Sequence, residues 1–323
     1  MFKSIRYHNF KVLRDATLPL GRFTLLVGPN GSGKSTALQA LQFVALGQSL
    51  DPTRFVSLNA DGPPEVAIEW NDGVMTTARW SEKGSIVRMH NGSTDVALDN
   101  RLAASVRFYS FDASSLAAAV TLQPEMEMAT AGQNLAGALD RLRDKDPERF
   151  QALNADLEKW LPEFDQVLFN TPNSGTREIE LRVAGTKRGI RASDLSHGTL
   201  FALAMLALAY SSQPPPFVAI EEPERGIHPR LLRRIQDALY RLAFPENNQE
   251  SRAPVQVVIT THSPFLLDLY RDHPEEIVVA ERVGGEARFA RLIDKNNLIE
   301  LLGDSRLGDL WYSGILGGVP LEQ

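Results

Sequence analysis

Phe23-Thr24-Leu25-Leu26-Val27-Gly28-Pro29-Asn30-Gly31-Ser32-Gly33-Lys34-Ser35-Thr36 is the stretch on which the fold turns. Its first five residues are apolar or β-branched and read as a buried strand that ends at Gly28. The next eight match G-x-x-x-x-G-K-[ST] at every position. Residues 35 to 46 then set Leu38, Leu41 and Ala45 on one face at helical spacing. Strand, glycine-rich loop and helix is the order in which a chain wraps phosphate. Glycine lets the backbone come close with its N–H groups turned inward, where a Cβ would block the approach. Lys34 is placed to neutralise β- and γ-phosphate oxygens, and the Ser35 hydroxyl to ligate Mg²⁺ at the helix N-terminus. The bland alternative is a glycine-rich turn with no ligand, which the complete match in a strand-to-helix context disfavours.

Working outward, Phe217-Val-Ala-Ile-Glu221-Glu222 is an apolar strand ending in two carboxylates. A metal-supporting acid, Glu221, followed by a base for an attacking water, Glu222, fits the mouth of a parallel sheet. The simpler reading is a strand that ends in solvated acids. Val257-Val-Ile-Thr-Thr-His262-Ser263-Pro264 is a second buried run, and it delivers an imidazole able to hydrogen-bond a γ-phosphate. Ser193-Asp-Leu195-Ser196-His197-Gly198-Thr199 precedes the apolar run 200 to 210, so a hydroxyl and free N–H groups stand at a helix start. Taken alone, that segment reads as an ordinary N-cap.

Around these motifs, residues 2 to 27 suggest two or three short strands, and 65 to 109 several more, broken by Asn-Asp-Gly, Lys-Gly and Asn-Gly turns. Residues 134 to 142 and 147 to 161 have helical periodicity, with Pro147 suited to a first turn. From Ile179 a second α/β stretch begins, and Pro214 to Pro216 form a stiff break before the strand at Phe217. The interrupted middle is too short for a long coiled coil.

Composition narrows the partners. The 323 residues are 43% hydrophobic, enough for one sizeable core or two unequal lobes. With 34 Lys plus Arg against 40 Asp plus Glu, the net charge of -6 supplies no global basic field, so nucleic acid could be met only by a local patch. Arg141, Arg143 and Lys145 are mixed with acids and read as a solvated helix face. The absence of cysteine excludes disulfides, thiolate metal sites and a cysteine nucleophile. The N-terminus lacks an apolar signal region and no window approaches 18 apolar residues, so a cytoplasmic protein without direct membrane insertion is expected.

Taken in order, the P-loop, Leu195-Ser-His-Gly-Thr199, Glu-Glu-Pro-Glu and Thr-Thr-His262-Ser resemble the head of ABC-type ATPases, in the soluble branch of SMC, RecF-like and OLD-like proteins. Asn9-Phe10-Lys11, Asn30 and the closing Gly308-Asp-Leu-Trp-Tyr-Ser-Gly-Ile-Leu-Gly317 extend the resemblance over nearly the whole chain, which is most similar to stand-alone bacterial AAA-type ATPases. The resemblance implies an α/β P-loop NTPase fold: a mixed central sheet, an antiparallel β layer and a helical lobe. Lobe I would span 1-112 and 216-323, and lobe II 113-215 with the signature.

By position, the resemblance makes Glu222 the catalytic base and His262 the switch histidine. It makes Gly28, Pro29, Asn30, Gly31, Ser32, Gly33, Lys34, Ser35 and Thr36 the ATP contacts, with Mg²⁺ at Ser35 and Glu221. Ser196 and Gly198 would act in trans, closing a head-to-tail homodimer around two ATP. Three departures stand out. Glu221 replaces the usual Asp, His197 stands where Gly is common, and the glutamine expected between the lobes is not fixed, with Gln123 and Gln133 as candidates.

The implied function is an ATP-hydrolysing switch serving DNA repair, genome maintenance or anti-phage defence, read by an effector such as a partner nuclease or by nucleic acid. An ABC transporter subunit is the alternative, and a small-molecule P-loop kinase a more distant one. No acid cluster suited to two metals follows His262, so a nuclease centre is not expected in the chain itself.

Overall fold

The computed structural model describes residues 1–58, 60–303 and 305–317; positions 318–323 of the expected first lobe lie outside them. In chain order the elements are β1 (Phe2–Phe10), β2 (Leu13–Pro19), β3 (Phe23–Val27), α1 (Lys34–Leu46), α2 (Pro52–Phe55), β4 (Glu65–Trp70), β5 (Met75–Trp80), β6 (Ile86–His90), α3 (Val96–Ser105) and β7 (Val106–Tyr109). There follow α4 (Ala113–Leu116), β8 (Val120–Thr121), α5 (Leu135–Lys145), α6 (Pro147–Trp160), β9 (Phe164–Asn170), β10 (Thr176–Val183), β11 (Gly189–Arg191) and α7 (His197–Ala209). The chain ends with β12 (Phe217–Glu221), α8 (Leu232–Ala243), β13 (Gln256–Thr261), α9 (Pro264–Asp268), β14 (Ile277–Val283), β15 (Glu286–Arg291), α10 (Leu298–Leu302) and α11 (Leu307–Tyr312).

Two compact units emerge. The first holds Met1–Phe108, Pro215–Ile220 and the described residues from Val255 on; the second holds Tyr109–Pro214 and Glu221–Pro254. The boundaries read from the sequence put residues 221–254 with the first lobe, whereas contacts group them with the second. The reason is α8, whose apolar stripe of Leu232, Ile235, Leu239 and Leu242 is buried and which packs against α7.

In the first unit a six-stranded sheet runs in the order β15-β14-β3-β13-β12-β7. β3 is parallel to both β13 and β14, while β15 is antiparallel to β14, so the sheet is mixed. All five residues of β3 are buried, as a central strand covered on both faces requires. A second, antiparallel sheet runs β2-β1-β4-β5-β6. Its alternating inward residues, among them Ile5, Tyr7, Ile68 and Trp80, share one core with Ala37, Leu38, Leu41 and Val44 of α1. Truncating Leu41, which is fully buried, would cost about 2–5 kcal/mol.

Polar ties fix the same core. Gln256 exchanges two hydrogen bonds with the backbone of Phe2, at 2.7 Å each way. The Tyr7 hydroxyl donates to the Ala37 carbonyl at 3.2 Å, and burial pushes this phenol well above its ordinary range. At the other end of α1, Arg88 donates to the carbonyls of Val44 (3.0 Å) and Ala45 (3.2 Å), completing a stop set by Gly47 at φ +64. The helix that begins at the P-loop is therefore held at both ends.

The second unit surrounds α7. Residues 199–209 of this helix are all buried, and it packs on α4, α5, α6 and α8. The unit is not helical throughout. β10 pairs with β8, β9 and β11 in a small antiparallel sheet, where buried Ile179 and Leu181 alternate with the charged residues Glu178, Glu180 and Arg182. A second difference lies at 96–105, within a region read as strands, which forms helix α3. Leu102 is its one buried residue, so the apolar stripe is nearly absent, and the start is marked by Asp95 accepting from Ala97 N (2.9 Å) and Leu98 N (3.1 Å). Among the described residues, no helix is long and apolar enough to cross a membrane.

Candidate functional site: a phosphate-binding loop

The loop after β3 has the conformation that its glycines allow. Gly31 sits at φ +78 and Gly33 at φ +98, where a side chain is strained. A Cβ on Gly28 would lie 2.4 Å from the Ala280 carbonyl oxygen, and one on Gly33 would lie 2.8 Å from Ala287 Cβ. β14 and β15 thus press against the loop and leave room for backbone only. Lys34 is buried, and its ammonium reaches back over the loop to donate to the carbonyls of Gly28 (2.6 Å) and Pro29 (2.9 Å).

Two features suit the loop to an anion. α1 begins with no side-chain cap and no acid in its first turn, so its amide dipoles are uncompensated by protein. Ser32 is 1% exposed, yet its Oγ has no hydrogen-bond partner among the described residues. A ligand entering the loop could satisfy a buried hydroxyl in that position. Ser35 is exposed and Thr36 half-buried at the first turn, while Pro29 is half-buried and Asn30 exposed on the rim. These residues fit a polyphosphate, and the exposed Ser35 hydroxyl fits its metal.

The sheet sets the histidine beside this loop. Thr261 of β13 pairs in parallel register with Val27 of β3, so His262 and Gly28 leave adjacent strands at the same edge. His262 is exposed, and the turn that follows it is fixed by Ser263 N donating to Thr261 Oγ1 at 2.9 Å and Leu266 N to Ser263 Oγ at 3.3 Å. β12, on the far side of β13, ends at half-buried Glu221. Glu222 has φ +46, an unusual conformation for a side-chain-bearing residue, and its carbonyl accepts from Arg225 N at 2.9 Å. A tight turn therefore begins at the second carboxylate.

In the second unit Ser196 is the N-cap of α7, its Oγ accepting from Thr199 N at 3.1 Å and lying 2.8 Å from Thr199 Oγ1. The cap reading of this segment is thus realised, and Ser196 and His197 are exposed at the helix start. Gly198 has a packing reason as well, since a Cβ there would meet the Gly226 carbonyl oxygen at 2.6 Å. Gln123 and Gln133 are both exposed residues of this second unit. Sequence reasoning did not find Arg282, whose guanidinium stands 4.0 Å from the Cβ position of Gly31. No local pattern marks it, because only the pairing of β14 with β3 brings it there.

Strand, loop, helix and sheet order together give an α/β P-loop fold like that of SMC heads. Residues 93–268 match the family "AAA domain, putative AbiEii toxin, Type IV TA system", and residues 4–98 match a further family described as "AAA domain". The chain belongs to the first of these families, whose match covers more than half of it. It is similar to an OLD nuclease of Thermus scotoductus, at 25% identity over 87% of this chain and 62% of that protein. The chain thus spans about three-fifths of the length of this relative. Among solved structures, the Smc head of Pyrococcus furiosus bound to the C-terminal domain of ScpA aligns with TM-score 0.66 at 17% identity, covering 93% of this chain and 99% of that one. An SMC head bound to the C-winged helix domain of ScpA aligns with TM-score 0.65 at 18% identity, covering 90% and 96%. These two likenesses establish the fold.

Proposed function

We propose that the chain binds ATP on residues 28–36, hydrolyses it with water, and uses the cycle to pair with and release a second copy of itself. The observation that carries this reading is the uncapped start of α1, with a buried Ser32 hydroxyl that has no partner among the described residues and a Lys34 ammonium folded over the same loop. Backbone amides and Lys34 would hold the phosphates, and Ser35 and Glu221 would hold Mg²⁺, which when bound neutralises charge on the β- and γ-oxygens. Glu222 would take a proton from the attacking water. His262, leaving the sheet beside Gly28, would donate to the γ-phosphate.

Ser196, Gly198 and the first-turn amides of α7 would close on the γ-phosphate bound to the other copy. One head alone leaves that phosphate facing water, and a second set of donors supplies the missing stabilisation. An effector would then read the paired state. Similarity to a protein named OLD nuclease supports a role connected with DNA, in genome maintenance or anti-phage defence, with a nuclease among the candidate effectors. This last step rests on resemblance.

The test is turnover of Mg-ATP with no added acceptor. Purified protein should release phosphate to water, and Glu222→Gln should slow release at least about a hundredfold while ATP binding is retained. Turnover that requires a metabolite acceptor would identify a kinase. Co-purification with a permease would identify a transporter subunit.

A further inference from the structure

We infer that Arg282 is a second cation for the phosphates held in the P-loop, a contact that deepens the ATP-binding reading and rests on it. β14 runs parallel to β3 with Val279 opposite Val27, so its next residues continue alongside the loop. Ala280 already touches the loop at Gly28, and the Arg282 Nη1 stands 4.0 Å from where a Cβ of Gly31 would be. Gly31 has none and is exposed at φ +78, so the guanidinium faces bare loop backbone.

The arginine is held there. Val283 pairs with Glu286 across the two-residue turn Gly284-Gly285, both at positive φ, which is the tight hairpin such a pair favours. Arg282 Nε donates to the Gly285 carbonyl at 3.1 Å, hooking the side chain over its own turn. The hairpin is tied on by Ala287 N donating to the Val12 carbonyl at 2.8 Å and by the Arg14–Glu286 ion pair at 3.3 Å. With Nε engaged, the two terminal nitrogens remain as a planar fork of the kind that grips phosphate oxygens.

No carboxylate among the described residues pairs with Arg282. Its neighbour Glu281 is turned to Gly317, where an added Cβ would lie 1.7 Å from Glu281 Oε1. Lys34 offers point charge from inside the loop, and Arg282 adds directed donors from its rim. The competing role is a staple for the hairpin, and charge separates the two roles. Gln at this position can still donate to the Gly285 carbonyl but carries no charge.

Calorimetry with Mg-ATP at about 50 mM salt should show about tenfold weaker binding by Arg282→Gln, and Arg282→Lys should recover much of the loss. Raising salt toward 1 M should narrow the gap between wild type and Arg282→Gln, because an exposed charge is screened. Equal affinities of wild type and Arg282→Gln would overturn the inference. So would unchanged affinity with lost self-association, which would make Arg282 a contact to a second copy. If wild type binds no ATP, or Lys34→Ala binds it equally well, the P-loop reading itself fails and the inference falls with it.

Discussion

Replacing Lys34 with Met tests the loop most cleanly, because it keeps the length and apolar stem of a buried side chain and removes only the ammonium. Two effects should separate. Without nucleotide, the lost hydrogen bonds from the ammonium to the Gly28 and Pro29 carbonyls should cost about 1.5–3 kcal/mol each, largely offset by relief from burying a charge. Folding alone should change little. With nucleotide, a unit charge about 4 Å from a phosphate oxygen contributes about 4 kcal/mol at an effective dielectric of 20, or about a thousandfold in affinity. Wild type at a ligand concentration of about 100 Kd gains about 2.7 kcal/mol, which is about 4 °C in Tm for a chain of this size. Thermal unfolding with and without Mg-ATP reads both effects at once. Lys34→Met should melt near wild type in buffer and gain nothing from Mg-ATP. A variant that keeps the full ATP-induced shift would refute the assignment of the loop.

Other outcomes follow from the second unit. Glu250 accepts from Arg149 (2.9 Å), Arg241 (2.5 Å) and Arg252 (2.8 Å) with its side chain 9% exposed, so Glu250→Ala should destabilise by about 3–5 kcal/mol, read as a lower urea midpoint. Burial pushes the Glu250 carboxyl up, but the three arginines outweigh it and hold it below the ordinary range. Its contribution is therefore complete above the unfolded value near 4.3 and lost as pH falls through the lower folded value, and Glu250→Gln should flatten that acid limb. Tyr210 is pushed up to about 12 by burial and by its hydrogen bond to Asp156. The stability it contributes should persist to about pH 10 and fade toward 12, and Tyr210→Phe should remove that alkaline loss. Gly198→Ala should push on the Gly226 carbonyl and cost about 1–3 kcal/mol before any effect on turnover is considered, so its ATPase rate must be compared at matched folded fraction.

The parts of this fold that the sequence made legible are local and uniform. β3, β12 and β13 are short apolar runs with abrupt polar ends, and α1 starts at the lysine of an eight-residue pattern. α3 was hidden because a helix that buries only Leu102 has no stripe to read. The small sheet was half-visible: β10 alternates in Ile179 and Leu181, but β9 mixes Asp165 and Gln166 with aromatic residues and offers no clear period. At the site, the loop residues could be named one by one, whereas the left-handed Glu222 could not be foreseen from an acidic strand end. Arg282 beside Gly31 and the arginine clamp on Glu250 depend on strand pairing and helix packing between distant segments, which no window of sequence contains.

Light scattering on Glu222→Gln in saturating Mg-ATP tests the whole account at once, since it requires nucleotide in the loop, loss of the base, and donors from a second copy. The predicted result is a species of twice the 35.7 kDa chain that reverts when ATP is withdrawn. A particle of single-chain mass that nonetheless binds ATP would contradict the paired site and leave the serine at the start of α7 as a helix cap.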